Sequence, residues 1–167
     1  QDAPSDLLRR ALAGEAAAIW EITDSLFDEE RFDESLEWAY RGIAEGVPGS
    51  HFQAGLIFHK RNIHDSAELH YRKSIALGPT GEAWHNLGLI HRGKSDSDEA
   101  EHAFQAASEL GYPGSSFCLG HLQLALGETA KAIEWLKKSW EQGDVNGLAL
   151  LGAALMDSGQ ADEGTRY

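Results

Sequence analysis

The chain has 167 residues, 42% of them hydrophobic, enough to supply a core for one domain or for an array of small units. Asp and Glu number 27 against 14 Lys and Arg, a formal charge of -13, so the surface repels nucleic acid and anionic membranes. No apolar run approaches the roughly 20 residues of a membrane span, and a single cysteine, Cys118, excludes an internal disulfide.

A period organises everything else. Gly14, Gly46, Gly78, Gly111 and Gly143 are separated by 32, 32, 33 and 32 residues. Gly55, Gly88, Gly120 and Gly152 keep the same step, and so do the small residues Ser35, Ala67, Ala100, Ala132 and Gly164. Three series in one register predict stacked supersecondary units, a solenoid. In chain order, residues 5–13 read as the end of a second helix. Units follow at 14–46, 47–78, 79–111, 112–143 and 144–167, the last incomplete, with Tyr167 falling where Trp135 does. Unit one has Ile19 where unit three has Trp84, and Thr23 where the later units have glycine.

Unit three gives the clearest local reading. Ala83, Trp84, Leu87, Ile90 and His91 recur at helical spacing over 82–92, and Gly93-Lys-Ser-Asp-Ser supplies turn chemistry. Ser97 or Asp98 is expected to cap a second helix, Glu99 to Leu110, with Ala100, Ala103, Phe104, Ala107 and Leu110 on one face. Gly111 ends it in the left-handed conformation, and Pro113 blocks continuation. Pro48 and Pro79 stand at the same boundary of earlier units. The mid-helix glycines are expected to let paired helices cross closely, Gly55 against Ala67, Gly88 against Ala100 and Gly120 against Ala132. The bulky series Ala39, Tyr71, Phe104 and Leu136 is expected to fill the space between units.

Trp84-x-x-Leu-Gly-x-x-His, followed by Ala100, Phe104 and Ala107, resembles the tetratricopeptide repeat, over nearly the whole chain. The stretch from Trp140 to Gly152, with Gly143 nine residues before Gly152, also resembles Sel-like repeats. The resemblance implies an all-α fold, a right-handed superhelix of α-hairpins in about five units of 32–33 residues. Both ends fall inside a unit, so the sequence reads as part of a longer protein.

In this family first helices line a concave groove. Carried over by register, that wall holds Trp20, Asp24 and Phe27, with Glu21 and Asp28, from unit one. Phe52, Leu56 and His59, with Gln53 and Lys60, come from unit two. His85, Asn86, Leu89 and Arg92 come from unit three, and Phe117, His121 and Leu124, with Cys118, from unit four. Ala149, Leu150, Ala153 and Met156 follow from unit five. Trp20, Phe52, His85 and Phe117 form one row, suited either to an apolar partner segment or to the core beneath it. Family members that clamp carboxylates carry Lys and Asn in that row; here Trp20, Phe52, His85 and Phe117 replace the Lys and only Asn86 and Arg92 point that way, so a carboxylate clamp is not expected. Charge is polarised: Glu21 to Glu37 is strongly acidic with Arg31 alone opposing it, and Lys60, Arg61, Arg72 and Lys73 follow.

The eight histidines show no paired-ligand spacing for a metal. Cys118 one turn from His121, inside a helix, lacks free N–H groups to stabilise an oxyanion, so a buried thiol is expected rather than a nucleophile. The expected function is a non-catalytic scaffold gripping a peptide or helical segment of a protein partner, with no cofactor, no nucleic acid and no membrane, in the cytoplasm. Two alternatives stay open. One is an oligomerisation or spacer element that self-associates through its incomplete ends. The other is the regulatory repeat segment of a larger enzyme or transcription regulator.

Overall fold

The computed structural model describes residues 5–160, which hold ten α-helices, one 3-10 turn and no strand. The all-α solenoid class expected from the period is what forms. Of the expected helix start over 160–167, residues 161–167, Gly164 and Tyr167 among them, lie outside the described residues.

The helices group into two units, each a stack of hairpins. The first unit opens with α1 (Asp6–Leu12), capped by the Ser5 hydroxyl, which accepts from the Leu8 N–H. Two hairpins follow, α2 (Ala16–Asp28) with α3 (Phe32–Ala44) and α4 (Ser50–Lys60) with α5 (His64–Leu77). Ala11, Ala18 and Ile19 form one core layer under Trp38 and Val47. Ala39, Ala54 and Ile57 form the next, sided by Phe27, Phe32, Leu36 and Ile43. The second unit pairs α6 (Gly81–Gly93) with α7 (Ser97–Glu109) and α8 (Pro113–Ala125) with α9 (Thr129–Glu141). A 3-10 turn at Val145–Gly147 then leads into α10 (Leu148–Asp157). Its layers are Ala100 and Phe104 with Cys118, Leu119 and Leu122, and Ile133 and Leu136 with Leu151, Ala154 and Leu155.

Several local expectations change. The mid-helix glycines make room for the bulky series more than for the small one. A Cβ on Gly55 would lie 2.6 Å from the Tyr71 ring, one on Gly88 2.6 Å from the Phe104 ring, and one on Gly120 2.5 Å from Leu136. Ala132 enters only through its carbonyl oxygen, 3.4 Å from that last position. Each bulky side chain therefore sits inside its own hairpin, while Phe104 and Leu136 also pack on the first helix of the next repeat, α8 and α10. Helix α7 starts at Ser97, so the flanking residue is Asp96, whose side chain makes no cap bond. Its carboxylate lies 3.5 Å from His91 Nδ1 instead. Leu110 is half exposed, outside the buried face. Pro113 does not stop α7, which has already ended; it occupies the first turn of α8, where its missing N–H costs nothing.

The boundary glycines Gly14, Gly46, Gly111 and Gly143 take φ between +69° and +87°. Gly78 does not: its φ is -176°, extended backbone. Pro79 follows it directly, and a residue before proline is pushed out of helical space by the pyrrolidine ring.

Candidate functional site

In the first unit the first helices α2 and α4 leave a cleft of about 90 Å³ between them, walled by Phe27, Leu56 and Ile57 and floored by Thr23, Ser35 and Gln53. Asp24 and Asp28, one turn apart on α2, complete its lining. A shallower second cleft shares Phe27 and Leu56 and continues over His59, Lys60 and Asn62. Asp24, Phe27, Leu56 and His59, assigned to the groove from register alone, are thus brought together here, and so are Asp28, Gln53 and Lys60.

The floor is held by short hydrogen bonds. Thr23 Oγ1 donates to the Ile19 carbonyl and Ser35 Oγ to the Thr23 carbonyl, both at 2.7 Å. Ser35 thereby ties α3 to α2 across the hairpin. Gln53, 4% exposed, donates its Nε2–H to the Trp20 carbonyl at 3.2 Å and ties α4 to α2. Gln53 was expected on the groove wall; it is buried because that bond draws its amide under the neighbouring helix. Phe27 meets Phe32 edge to face at 5.7 Å, which fixes the wall. His59 lies near Tyr71 and His64, and burial followed by the His64 charge pulls its pKa down.

Charge around this cleft is one-sided. Arg31 pairs with Glu29 at 2.9 Å and Glu34 at 2.7 Å, and Arg61 reaches Asp33 at 2.7 Å. Asp24 and Asp28 enter no ion pair among the described residues, and both are exposed.

In the row Trp20, Phe52, His85 and Phe117 each ring packs on a neighbour. Trp20, 38% exposed, lies over Gly49 at the entry to α4, where a Cβ would be 2.6 Å from its ring. Phe52 is half-buried on Tyr71, with centroids 5.8 Å apart. His85 is half-buried between Phe104 and Tyr112, at 5.4 and 4.7 Å, and its Nδ1 bonds Ser115 Oγ at 2.8 Å. Burial, then Arg92, lowers its pKa to about 4. Phe117 packs against both core layers of the second unit.

The remaining candidates of the second unit scatter over local roles. Asn86 Nδ2 donates to the Glu82 carbonyl of its own helix at 2.9 Å. Arg92 lies over the Phe104 ring with its Nη1 3.7 Å from Cys118 Sγ. Cys118 is buried, and burial pushes its thiol pKa up, away from thiolate chemistry. Leu89 and Leu124 side the two core layers. His121 is exposed and meets Phe117 at 6.4 Å rather than His85. Leu150 sides the last core layer, while Ala149, Ala153 and Met156 are exposed. No group of three or more potential metal ligands gathers among the described residues, and no described helix is long and apolar enough to cross a membrane.

A further polar pair had no sequence signal, since His51 and His70 lie on different helices. Their Nδ1 atoms are 3.1 Å apart, with Phe58 stacked on His70 at 5.4 Å and Tyr40 edge-on at 5.8 Å.

Comparison with known proteins agrees with the geometry. Residues 81–110 match the family model of the tetratricopeptide repeat. No curated protein matches the chain. Among solved structures, MamA superposes with a TM-score of 0.74 at 22% identity, covering 91% of this chain and 87% of that one. YrrB, described as a tetratricopeptide protein with an unusual peptide-binding site, gives 0.74 at 15% identity, covering 97% and 88%. PilF of Pseudomonas aeruginosa gives 0.76 at 17% identity, covering 91% and 72%. The hairpin α6–α7 is a tetratricopeptide repeat, and the chain has the fold of tetratricopeptide-repeat proteins.

Proposed function

We propose that this chain is a non-catalytic protein-interaction scaffold that holds a peptide or helical segment of a partner protein against its first helices. One observation carries the reading. The two clefts of the first unit share Phe27 and Leu56, so they form one continuous concave strip along α2 and α4. Apolar walls with a few convergent polar groups are what a bound side chain needs. The acidic surface favours a protein over a nucleic acid. The buried Cys118 thiol supports packing rather than nucleophilic attack.

Leu56 is the discriminating residue, because it lines both clefts and is only half-buried. Peptides selected from a short random library on the unmodified chain provide the ligand. Leu56→Ser is expected to weaken them by tenfold or more, about 1.4 kcal/mol, with the melting temperature nearly unchanged. Affinity unchanged in the folded variant would place binding on another surface, and failure to select any peptide would end the proposal.

A further inference from the structure

The cleft between α2 and α4 leaves one buried acceptor unused. Gln53 Oε1 is shielded from solvent and accepts no hydrogen bond among the described residues, although Gln53 Nε2 is bonded. The two hydroxyls of the lining do not serve it, because Thr23 and Ser35 already donate to backbone carbonyls. A buried acceptor without a donor is costly, and such groups in folded proteins call for an explanation. The rest of the polar lining is two carboxylates, Asp24 and Asp28, with no cation paired to either. The cleft thus presents two carboxylates with no paired cation beside apolar walls, and its lining residue Gln53 keeps an amide oxygen without a donor.

We infer that this cleft takes the side chain of a lysine from the bound partner segment. The inference rests on the proposed groove reading and specifies its anchor. An ammonium carries three donors and no acceptor, which suits a lining whose accessible acceptors are the Asp24 and Asp28 carboxylates. Its aliphatic stem lies along Phe27 and Leu56, as lysine stems commonly cover apolar surface. Lysine suits the cleft better than arginine, because an ammonium is a compact charge with three donors on a flexible stem whereas a guanidinium presents five in a rigid planar fork. Lys60 borders only the neighbouring cleft, so the charge where the ammonium sits is that of the two carboxylates.

The test uses peptides selected from the same random library on the full chain. The selected set is expected to carry lysine at one fixed position. Replacing that lysine by norleucine, which keeps the stem and removes the charge, is expected to weaken binding by about tenfold. Asp24→Asn/Asp28→Asn is expected to cost the lysine peptide the same factor and the norleucine peptide almost nothing, because the two changes remove one interaction. Both aspartates are exposed, so the variant is expected to melt like the parent; the norleucine comparison on the unmodified protein needs no variant. Selected peptides that lose less than about threefold on lysine replacement overturn this inference and leave the groove reading standing. So does an equal loss of both peptides in the double variant. Selection of no peptide overturns both.

Discussion

At the scale of single residues, the fold rests on trading bulk between two positions sixteen apart. Gly55 faces Tyr71, Gly88 faces Phe104 and Gly120 faces Leu136. In the first hairpin the pair at the same spacing is Thr23 and Ala39, with the larger residue on the other helix, and both are buried. The Thr23 hydroxyl is satisfied by the Ile19 carbonyl, so the exchange leaves no orphan polar group. The glycines were legible in the sequence as a series, but their partners were not. Period alone gives which residues recur, whereas the helix crossing decides which of two recurring series lies opposite. Gly55→Ala places a methyl against the ring of Tyr71, itself fully buried. It is expected to destabilise by about 1–3 kcal/mol despite the better helix propensity of alanine. Gly93→Ala is the control, because nothing lies within 4 Å of its Cβ position and its φ is not positive. That change is expected to be neutral or stabilising by up to about 1 kcal/mol. Denaturant unfolding of the two variants checks the pair, and equal effects would remove the packing account.

At the scale of elements, the turns inside hairpins follow a periodicity that residue identity conceals. Glu30, Asn62, Ser95, Gly127 and Gly159 all have φ between +58° and +80°. Their spacing is 32, 33, 32 and 32, the same step as the boundary glycines. Each turn closes with the next N–H returning to a carbonyl five residues back, as Arg31 to Leu26, Ile63 to Phe58 and Asp96 to His91. The backbone demand is constant while the residue varies, so a sequence reading built on turn residues finds the helix ends between hairpins and the turn at 93–97 of unit three, but not the left-handed position that all these turns share. The α7 start shows the cost: a cap was sought at Ser97 or Asp98, whereas the turn is fixed by backbone bonds and by Ser95 in left-handed space. For an ordinary L-residue that conformation costs roughly 1–2 kcal/mol. Glu30 and Ser95 are exposed, so Glu30→Gly and Ser95→Gly are expected to relieve it. Each is expected to raise stability by about 0.5–1 kcal/mol after the entropy glycine adds to the unfolded chain. Gly127→Ala is expected to act in the opposite direction. Thermal melts of the three variants check the sign, and a fall in melting temperature for both glycine variants would show that these turns are unstrained.

At the scale of the whole molecule, two opposed electrostatic features set the response to acid. The net charge of -13 repels itself and favours expansion above the carboxylate range. Buried histidines act the other way as pH falls. His70, 6% exposed, is brought down from 6.5 to about 4, first by burial, then by His51 and Lys73. His51 and His85 shift in the same direction, burial leading in both. Composition displayed the first feature at once, because charge adds without regard to fold. The second was hidden, since it depends on His51 and His70 meeting across a hairpin. The candidate site divides in the same way: register placed Asp24, Phe27, Leu56 and His59 together, while the unused Gln53 acceptor follows only from where the Trp20 carbonyl lies. For His70 the unfolded chain takes up its proton near pH 6.5 and the folded chain resists down to about 4. The stability it contributes is therefore full above about 6.5 and drains as pH falls toward 4. Between pH 7 and 5, above most carboxylate titration, that amounts to about 2 kcal/mol at about 1.4 kcal/mol per unit. His70→Asn keeps a donor and an acceptor near His51 but cannot titrate. It is expected to be less stable than the parent at pH 7 and to lose about 2 kcal/mol less on acidification to pH 5. Urea unfolding of both proteins at pH 7, 6 and 5 reads the difference directly, and parallel curves would show that His70 is not held neutral by its burial.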